Sequence, residues 1–523
     1  MKATVSTLIR PFLLSILGIL LFIGVSFSQS VFNVRDYGAT GNRTALATKA
    51  IQQTIDTVHA QGGGVVWLPA GNYRSGTLVL KSNVTLRLDP GATLYASQDT
   101  ADYRVPFPIY KNDNPRQPVL LYAEGARNIS IEGKGRIHGQ ARRVYQDLGS
   151  ADGFIAEETE NARQAGVEMK MYRKVPPYVS LIYLVSCQDV TVEDVRILES
   201  VDWTLHVQWC ERVRIRHCVI QSSLEAGVNA DGIDVDGCRH VIISDCTIAT
   251  GDDAIVLKST LTNGRYEDCA NVTVTNCVLT STSSALKIGT ETYGNFRHIV
   301  FTNCVISNSN RGLGIIVRDG GRVSDVIVSN VTMELNRKHF NWWGSADPFW
   351  LVVLKRREDS KVGTIENVLL SNIIAHGQGT SKMSGLTPKS IRNVTLDQVQ
   401  LFMHPESKPD KRATHALEIA NVEDLTITQT RVHWDEPAED KWQIALAVAN
   451  VRGLTVDGFR GRAGGAASPV IALHNVRDAR VQAVEPTATT DVLIQVTGEQ
   501  TQNVNFFNND TQQRARQKVV RKP

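Results

Sequence analysis

The chain has 523 residues, of which 42% are hydrophobic and 21% are charged, a balance that is ordinary for globular protein. Its formal net charge of +3 is close to neutral for this length, so the composition argues against a nucleic-acid-binding protein. Length alone suggests several domains, but repeat proteins grow by adding repeats, and one long domain is therefore compatible with it.

The first residues have the features of a secretory signal peptide. Lys2 and Arg10 precede an apolar run from Phe12 to Phe27, and Ser26-Phe27-Ser28 is a small-x-small cleavage site. We therefore predict that residues 1–28 are removed and that the mature protein is secreted or periplasmic, without membrane association. An uncleaved anchor is the alternative interpretation.

The next region predicts a helix followed by short strands. Between Ala45 and Ala60, residues Ile51, Ile55 and Val58 have helical spacing, and the glycines at 62–64 end the helix. Such a helix is suited to cap the open end of a solenoid. With the Gly-, Pro- and Asn-bounded strands that follow it, this region resembles the pectate-lyase-like superfamily, which implies a right-handed β-helix.

From about residue 117 the chain repeats a phrase of two short strands around a polar corner, as in HVIISDCTI, NVTVTNCVL and HIVFTNCVI. The repeat period is variable but mostly in the twenties, which indicates stacked turns of a solenoid. We predict an all-β, single-stranded right-handed parallel β-helix over residues 29–510. Residues 511–523 are expected to form a basic, frayed tail.

Cysteines and asparagines recur at equivalent places in these repeats. All eight cysteines lie between Cys187 and Cys304. Two sets recur, Cys210, Cys238 and Cys269 and then Cys218, Cys246 and Cys277, and each member of the second set follows its counterpart by eight residues. Stacked, inward-facing free thiols explain this pattern, although export would also permit disulfides. The Asn-x-Ser/Thr triplets that begin at Asn83, Asn128, Asn271, Asn330 and Asn393 are interpreted as turn or stacked-asparagine positions in preference to glycosylation sites.

The densest chemistry lies between Asn229 and Ser259, in NADGID and GDDAI. Asp231 and the pair Asp252 and Asp253 are about one solenoid turn apart, so their carboxyl groups are predicted to converge on one surface. Hydrolysis of a glycosidic bond needs such groups: one acid to protonate the leaving oxygen and carboxylates to activate water. The alternative is that these aspartates cap turns, and we prefer that interpretation for Asp234 and Asp236.

These two motifs, followed by KIGTETYGNFRHIVFTNC and RGLGIIVRDGG, resemble glycoside hydrolase family 28, the polygalacturonase-like enzymes. The resemblance implies that Asp252 is the general acid and that Asp231 and Asp253 hold the attacking water. It also implies inversion without metal or other cofactor, for which a carboxyl separation of roughly 6.5–9.5 Å is typical. The implied partner is a pectic polysaccharide.

The sequence departs from the family pattern in two places. Ser284 stands where the family usually has the histidine of Gly-His-Gly, and Gly314-Ile315-Ile316 stands in place of Arg-Ile-Lys. A pocket for an anionic sugar normally retains a cation. The loss of both cations therefore predicts a neutral or deoxy sugar, such as rhamnose or galactose, beside the cleaved bond.

Five further residues are predicted to contact substrate. Arg318 or Lys258 would replace the missing charge. The alternative for Arg318 is a solvated turn residue, and the alternative for Lys258 is an ion pair with a nearby Asp. Glu291 and Tyr293 lie in GTETYG, where family members place substrate contacts. The alternative is that this segment is an ordinary loop. His206 lies one or two repeats before Asp231 and could face the same groove. The alternative is that His206 has a structural role.

Two segments could shape the groove. The aromatic run from Phe340 to Trp350 is interpreted as a groove wall, although core or interface packing would also explain it. Residues 141–177 look like an insertion with helical character, which either closes one end of the groove or decorates the surface. Trp203 is expected to be a packing residue.

The sequence thus predicts an exported, monomeric glycoside hydrolase that acts on pectic polysaccharide without a metal. The first alternative is a non-catalytic β-helix that binds polysaccharide. The second is a pectate lyase, which would need a calcium-binding acidic cluster and an arginine base. The three retained aspartates argue against the first alternative, and NADGID with GDD does not match the pattern that the second requires.

Overall fold

The computed structural model describes residues 30–103, 118–147, 159–160, 163–164, 166, 172–338, 344–408 and 411–522. Within these residues the chain forms a right-handed parallel β-helix, which confirms the predicted fold class. Each turn of the helix, called a rung here, contributes strands to three parallel sheets. Among the described residues, no helix is long and apolar enough to cross a membrane. The predicted signal peptide, residues 1–28, lies outside them.

The first sheet carries the candidate site. Its strands are Leu78–Val79, Val119–Glu124, Ser180–Val185, Leu205–Gln208, Ile233–Asp236, Ile255–Ser259, Ser284–Thr292, Arg311–Val317, Asp347–Val353, Ser381–Ser384, Leu417–Thr428, Leu446–Asp457, Ile471–His474, Thr490–Thr497 and Ala515–Arg521.

The second sheet follows the first along each rung. Its strands are Val31–Asn33, Gly64–Leu68, Val84–Leu88, Arg127–Glu132, Gln188–Glu193, Glu211–Arg216, Arg239–Ser244, Cys269–Thr275, Phe296–Ser309, Arg322–Leu335, Thr364–Gly377, Ile391–Met403, Arg477–Gln482 and Gln502–Phe507, with the later parts of Leu417–Thr428 and Leu446–Asp457.

The third sheet completes each rung and leads back to the first. Its strands are Asn42–Leu46, Gly71–Ser75, Ala92–Ala96, Arg136–His138, Arg196–Leu198, Val219–Gln221, Thr247–Thr250, Val278–Ser281, Arg431–Trp434, Arg460–Gly461 and Glu485–Pro486. The later parts of Phe296–Ser309, Arg322–Leu335, Thr364–Gly377 and Ile391–Met403 also belong to it.

Helical structure is sparse in the described residues. The helix Thr48–Ala60 buries Ile51, Ile55 and Val58 against the first rung, as predicted for a cap. Three short 3-10 helices are Val34–Tyr37, Thr100–Asp102 and Ala141–Arg143. In the predicted insertion, Tyr145–Asp147 pairs with Tyr172–Lys174 as an antiparallel ribbon. The segment predicted to be helical, residues 154–169, lies mostly outside the described residues.

The core is a continuous stack of inward-facing side chains. In the first sheet, Leu205, Ile233, Ile255, Leu286 and Leu313 are register partners on successive rungs, and all are buried. Each rung covers the apolar layer of its neighbour, so the stack removes from water what one rung alone would expose. Outward-facing residues of the same strands are thereby held in fixed columns.

The cysteines are buried and free, which confirms the prediction. Within one stack, the backbone N–H of Cys187 donates to Sγ of Cys210 at 3.4 Å, and the N–H of Cys210 donates to Sγ of Cys238 at 3.2 Å. The side-chain amide of Asn330 likewise donates to Asn303, and that of Asn372 donates to Asn330. All these asparagines have positive φ, a conformation that asparagine tolerates well. The predicted asparagine ladder is therefore confirmed.

The carboxyl-terminal segment corrects the prediction of a frayed tail. Ala515–Arg521 is a strand of the first sheet and pairs in parallel with Thr490–Thr497. Most of its side chains are exposed, and parallel backbone pairing does not require an apolar pattern on both faces of the strand. The solenoid thus continues past residue 510.

Candidate active site

Three carboxyl groups converge where the third sheet turns into the first. Asp231 precedes the strand Ile233–Asp236, and Asp252 and Asp253 precede its register partner on the next rung, Ile255–Ser259. Their exposed fractions are only 2%, 5% and 1%. One oxygen from each carboxyl group lies within 4.8 Å of the others. The structure therefore brings together the three residues that the sequence singled out.

The three carboxyl groups approach one another closely. One oxygen from each lies within 4.8 Å of the others, although the separation of roughly 6.5–9.5 Å typical of inverting glycosidases refers to whole carboxyl groups and not to their nearest oxygens. Such proximity arises because parallel rungs stack only about 4.8 Å apart. It favours sharing of a proton within the group.

The three carboxyl groups have unequal hydrogen bonding. Asp252 accepts backbone N–H groups of Asn229 and Asp253, both at 2.9 Å. Asp253 accepts the N–H of Ser284 at 3.1 Å and pairs with Nζ of Lys287 at 2.6 Å. Asp231 has one buried oxygen, Oδ1, with no hydrogen-bond partner in the described part of the chain.

Burial and mutual repulsion alter the acidity of this group. Burial, with the charge of Asp252, raises the pKa of Asp231 to about 8. Burial and the charge of Asp253 also raise the pKa of Asp252, while Lys287 and the Asn229 N–H oppose that rise. At neutral pH the group therefore holds a proton as well as negative charge, which is the state that acid–base hydrolysis requires.

Lys258 lies at the centre of a second set of carboxyl groups. Its Nζ is 3.6 Å from Oδ2 of Asp231, 3.5 Å from Oδ1 of Asp234 and 3.5 Å from Oε2 of Glu291. It also lies 3.8 Å from the ring centroid of Trp203. Burial lowers the pKa of Lys258, but the surrounding carboxylates raise it well above its ordinary value. Its contacts are those of the ion-pair alternative, and they leave little charge for a substrate.

Asp234 and Asp236 correct the prediction that they cap a loop. Both lie in the strand Ile233–Asp236 and are fully buried. Asp236 accepts the side-chain amide of Gln208 at 3.0 Å and the N–H of Thr260 at 2.8 Å. In this strand the apolar residues face the core, so alternation directs both aspartates to the outer face beneath the site.

His206 lies behind the site and has no exposed face. Its ring stacks on Tyr183 with centroids 4.6 Å apart and meets Trp203 edge-on at 4.9 Å. Its Nε2 lies 3.3 Å from Oδ2 of Asp236. Burial lowers the pKa of His206, against the raising effect of Asp236. The structural alternative fits these contacts, whereas a direct substrate contact by His206 finds no support in them.

The other predicted substrate contacts lie on the rim. The Glu291 side chain is 25% exposed; burial raises its pKa, but Lys258 and Arg356 outweigh that effect and lower it to about 2. Tyr293 is half-buried, with its ring 6.2 Å from that of Tyr266. Arg318 is partly exposed, and its buried Nε has no partner within the described ranges. Burial and the neighbouring Arg356 lower the pKa of Arg318.

Two cations of the site were not predicted. Lys287 faces outward from the strand Ser284–Thr292, and the alternating pattern LKIGT contains that signal. Arg356 donates to Oδ1 of Asp319 and to the carbonyl oxygen of Thr290, both at 2.6 Å, and lies 3.5 Å from Glu291. It comes from a later rung, so no local pattern could have indicated it.

The comparison with known families agrees with this geometry. The model of glycosyl hydrolases family 28 matches residues 64–338, more than half of the chain. The chain belongs to glycosyl hydrolases family 28.

Similar proteins include two curated relatives. A probable polygalacturonase from Vitis vinifera is 30% identical over 43% of this chain and 43% of its own length. An exo-poly-alpha-D-galacturonosidase from Dickeya chrysanthemi is 31% identical over 43% of this chain and 41% of its own length. The match thus spans less than half the length of each relative.

Solved structures share the fold more widely. The family 28 exopolygalacturonase of Yersinia enterocolitica has a TM-score of 0.64 at 21% identity, covering 82% of this chain and 79% of its own. The exopolygalacturonase of Thermotoga maritima has a TM-score of 0.58 at 22% identity, covering 77% and 92% respectively. At these identities the likeness concerns the fold.

The two departures from the family pattern flank the carboxyl groups. Ser284 is buried, and its hydroxyl oxygen has no partner in the described residues. Gly314 is the register partner of Lys287 on the next rung, and Ile316 faces outward two residues later. A Cβ on Gly314 would meet Lys287, Arg311 and Ser284 at 3.5 Å, which is ordinary contact. The position therefore has room at its base for a side chain.

The aromatic run is only partly described, because residues 339–343 lie outside the described ranges. Phe349 belongs to the core, whereas Trp350 faces outward as the register partner of Gly314. The guanidinium of Arg311 lies 4.9 Å from the Trp350 ring centroid. Trp350 thus lies on the same face as Lys287, two rungs away, as a groove residue would.

Proposed function

We propose that this family 28 protein hydrolyses glycosidic bonds in a pectic polysaccharide. In this proposal Asp252 protonates the leaving oxygen, Asp253 deprotonates the attacking water, and Asp231, which keeps its proton at neutral pH, helps to hold that water. Lys287 holds Asp253 in place, and Lys258 holds Asp231. The reaction needs no metal, because the protein's own lysines compensate the carboxylate charges.

One observation carries the proposal: three buried carboxyl groups converge, and burial raises the pKa of two of them. A binding surface has no use for a buried acid that retains its proton near neutral pH. One relative is named a probable polygalacturonase and the other an exo-poly-alpha-D-galacturonosidase, which supports pectic polysaccharide as the substrate class.

We further propose that the reaction inverts the anomeric centre, as the family resemblance implies. In an inverting reaction, water attacks from the face opposite the leaving group, and one carboxyl group cannot serve both faces. The close oxygen spacing of the trio makes the configuration of the first product the direct test of this step.

The charges around the trio favour a neutral sugar beside the cleaved bond. Lys258 faces three protein carboxylates, and Lys287 is paired with Asp253. Gly314 and Ile316 supply no replacement charge. A uronate carboxylate here would be desolvated next to other carboxylates, which is unfavourable. Rhamnose or galactose would avoid that cost, whereas Arg318 could receive a uronate only at the rim.

The proposal is tested by incubating wild type and Asp252→Asn with polygalacturonan, rhamnogalacturonan and neutral pectic oligosaccharides. Reducing ends and the ultraviolet absorbance of unsaturated sugars are recorded together, with Asp440→Asn as the exposed control. We expect reducing ends without absorbance, loss of activity in Asp252→Asn only, and preference for a substrate with a neutral sugar at the cut. Growing absorbance would indicate a lyase, and binding without turnover would indicate a polysaccharide-binding protein.

We also propose that the protein is exported and acts as a monomer. The proposal of export is based on the predicted signal peptide, residues 1–28. Expression with the native amino terminus, followed by sequencing of the mature terminus, tests cleavage after Ser28. Light scattering of the purified protein tests the monomer. A membrane-retained product or a stable dimer would contradict these two statements respectively.

A further inference from the structure

A cavity of about 750 Å³ lies away from the carboxylate trio, near the amino-terminal end of the solenoid. Three arginines line it, Arg43, Arg74 and Arg143, together with two aspartates, Asp99 and Asp102. Cationic groups therefore outnumber anionic groups in its wall. The volume is in the range of small-molecule sites and is far larger than an inorganic ion needs.

Two buried donors in the wall have no acceptor among the described residues. Nε of Arg74 and Nε2 of Gln98 are inaccessible to solvent and make no hydrogen bond with any described residue. Buried donors are normally paired, because leaving them unpaired is unfavourable. Both side chains line the cavity and are half-buried, so these donors could pair with a ligand only after the side chains turn toward it.

The other groups of the cavity are already organised. Arg43 donates to Oε1 of Gln140 at 2.6 Å and lies 4.0 Å from the Tyr95 ring centroid. Asp99 accepts the N–H of Ala101 at 2.9 Å, and Asp102 accepts the hydroxyl of Ser97. Each aspartate is held by a neighbouring donor but keeps its charge, so the three arginines leave the wall with only a small net positive charge.

The cavity lies on the same edge of the solenoid as the trio. Gln140 follows a third-sheet strand at the turn toward the first sheet, as Asp252 does. Register pairs connect His138 to Leu198, Leu198 to Gln221 and Gln221 to Ala249, so three rungs separate the two turns. At the usual strand spacing this is about 14 Å, and Arg74, which is two rungs further away through Tyr95, lies about 24 Å from the trio. An extended polysaccharide bound at the trio can span that distance.

We propose that this cavity is a distal subsite for an acidic sugar, whose carboxylate binds Arg74 and Arg143. The inference rests on the proposed function, since it assigns another part of the same polysaccharide. A neutral sugar at the cut and an acidic sugar several positions away together define a polymer that contains both kinds of sugar. The arginine subsite thereby restores the recognition of uronate that the trio's surroundings lack.

The test measures binding in an Asp252→Asn background, so that the ligand stays intact. Calorimetry compares a rhamnogalacturonan oligosaccharide, a neutral galactan oligosaccharide and inorganic phosphate. We expect Arg74→Gln to weaken acidic-oligosaccharide binding about ten-fold and Arg143→Ala about three-fold, with neutral binding unchanged. Arg460→Ala, an exposed arginine far along the solenoid, is the matched control and should bind as the parent does.

The melting temperature of each variant is measured to identify any variant that fails to fold. If Arg74→Gln does not fold, the exposed Arg143→Ala variant is used for the test. Unchanged acidic-oligosaccharide affinity in folded variants would overturn the proposal. So would phosphate binding that depends on Arg74 while oligosaccharide binding does not, because the cavity would then be a site for a free anion. If binding follows Arg74 but the wild type hydrolyses nothing, the subsite stands and the proposed hydrolysis fails.

Discussion

Lys287 places its ammonium nitrogen 2.6 Å from Oδ2 of Asp253 and lies beside Gly314 on the next rung. The family pattern places a cation at the position of Gly314, so this chain has a cation one rung earlier instead. That cation is paired with a carboxylate of the trio. The relationship links the two unusual features of the chain: a compensated catalytic group and no spare charge for the substrate.

Substituting Lys287→Met should reduce kcat about a hundred-fold, because Asp253 loses its ion-pair partner and the water it orients. Lys287 also lowers the pKa of Asp252, so that pKa rises in the variant. The acid then keeps its proton to higher pH, and the basic limb of the pH–rate profile shifts upward. The exposed Lys134→Met is the control; a reduced kcat with an unshifted basic limb would contradict this electrostatic role.

The raised pKa of Asp231 predicts a pH-dependent stability. The folded pKa of about 8 exceeds the ordinary value of 3.8, so the folded state binds more protons between these values, and stability falls as pH rises through them. Asp231→Asn removes this penalty and should melt about 2 °C or more above wild type at pH 9, with no difference at pH 4. Melting curves across pH measure it.

Asp245→Asn is the control for that experiment, because hydrogen bonding from Ser244 lowers the pKa of exposed Asp245. No gain at high pH is expected there. An Asp231→Asn protein that melts below wild type at pH 9 would show that Asp231 stabilises the fold as an anion.

Gly314→Arg should shift substrate preference toward galacturonan. The guanidinium would supply the charge that pairs with a uronate carboxylate, and its Cβ fits without close contact. We expect the kcat/KM ratio of polygalacturonan to rhamnogalacturonan to rise about ten-fold. Gly314→Ala adds bulk without charge and should leave that ratio near wild type. Equal ratios in both variants would count against the neutral-sugar proposal.

Arg356→Lys should weaken substrate binding and stability together. The arginine bridges Asp319, Thr290 and the rim residue Glu291, and lysine cannot reproduce its planar, two-pronged contacts. We expect KM to rise several-fold and the melting temperature to fall, with a smaller change in kcat. Arg431→Lys, at an exposed strand position, serves for comparison. A kcat effect without a KM effect would place Arg356 in the chemical step instead.

The residues predicted well from the sequence are those fixed by local repetition. Alternating apolar residues and Asn corners specify rungs, and Asp231 and Asp252 fall one rung apart, so their convergence follows from the period. Asp234 and Asp236 were misassigned because acidic residues are rare inside a sheet, and their partners Lys258 and Thr260 become neighbours only across rungs.

Contacts between distant rungs were beyond prediction. Arg356 reaches Glu291 only after an intervening strand and loop have stacked, and the register that allows this depends on variable repeat lengths. The carboxyl-terminal strand was missed for a related reason: its backbone pairing with Thr490–Thr497 stabilises a segment whose side chains are mostly polar and exposed.

The most direct measurement is a proton NMR time course of rhamnogalacturonan hydrolysis by wild type and Asp252→Asn. The spectrum reports the anomeric configuration of the first product and any unsaturated sugar at once. The account predicts a new reducing end of inverted configuration, no unsaturated signal, and no product with Asp252→Asn. A retained configuration, an unsaturated product, or full activity in Asp252→Asn would contradict it.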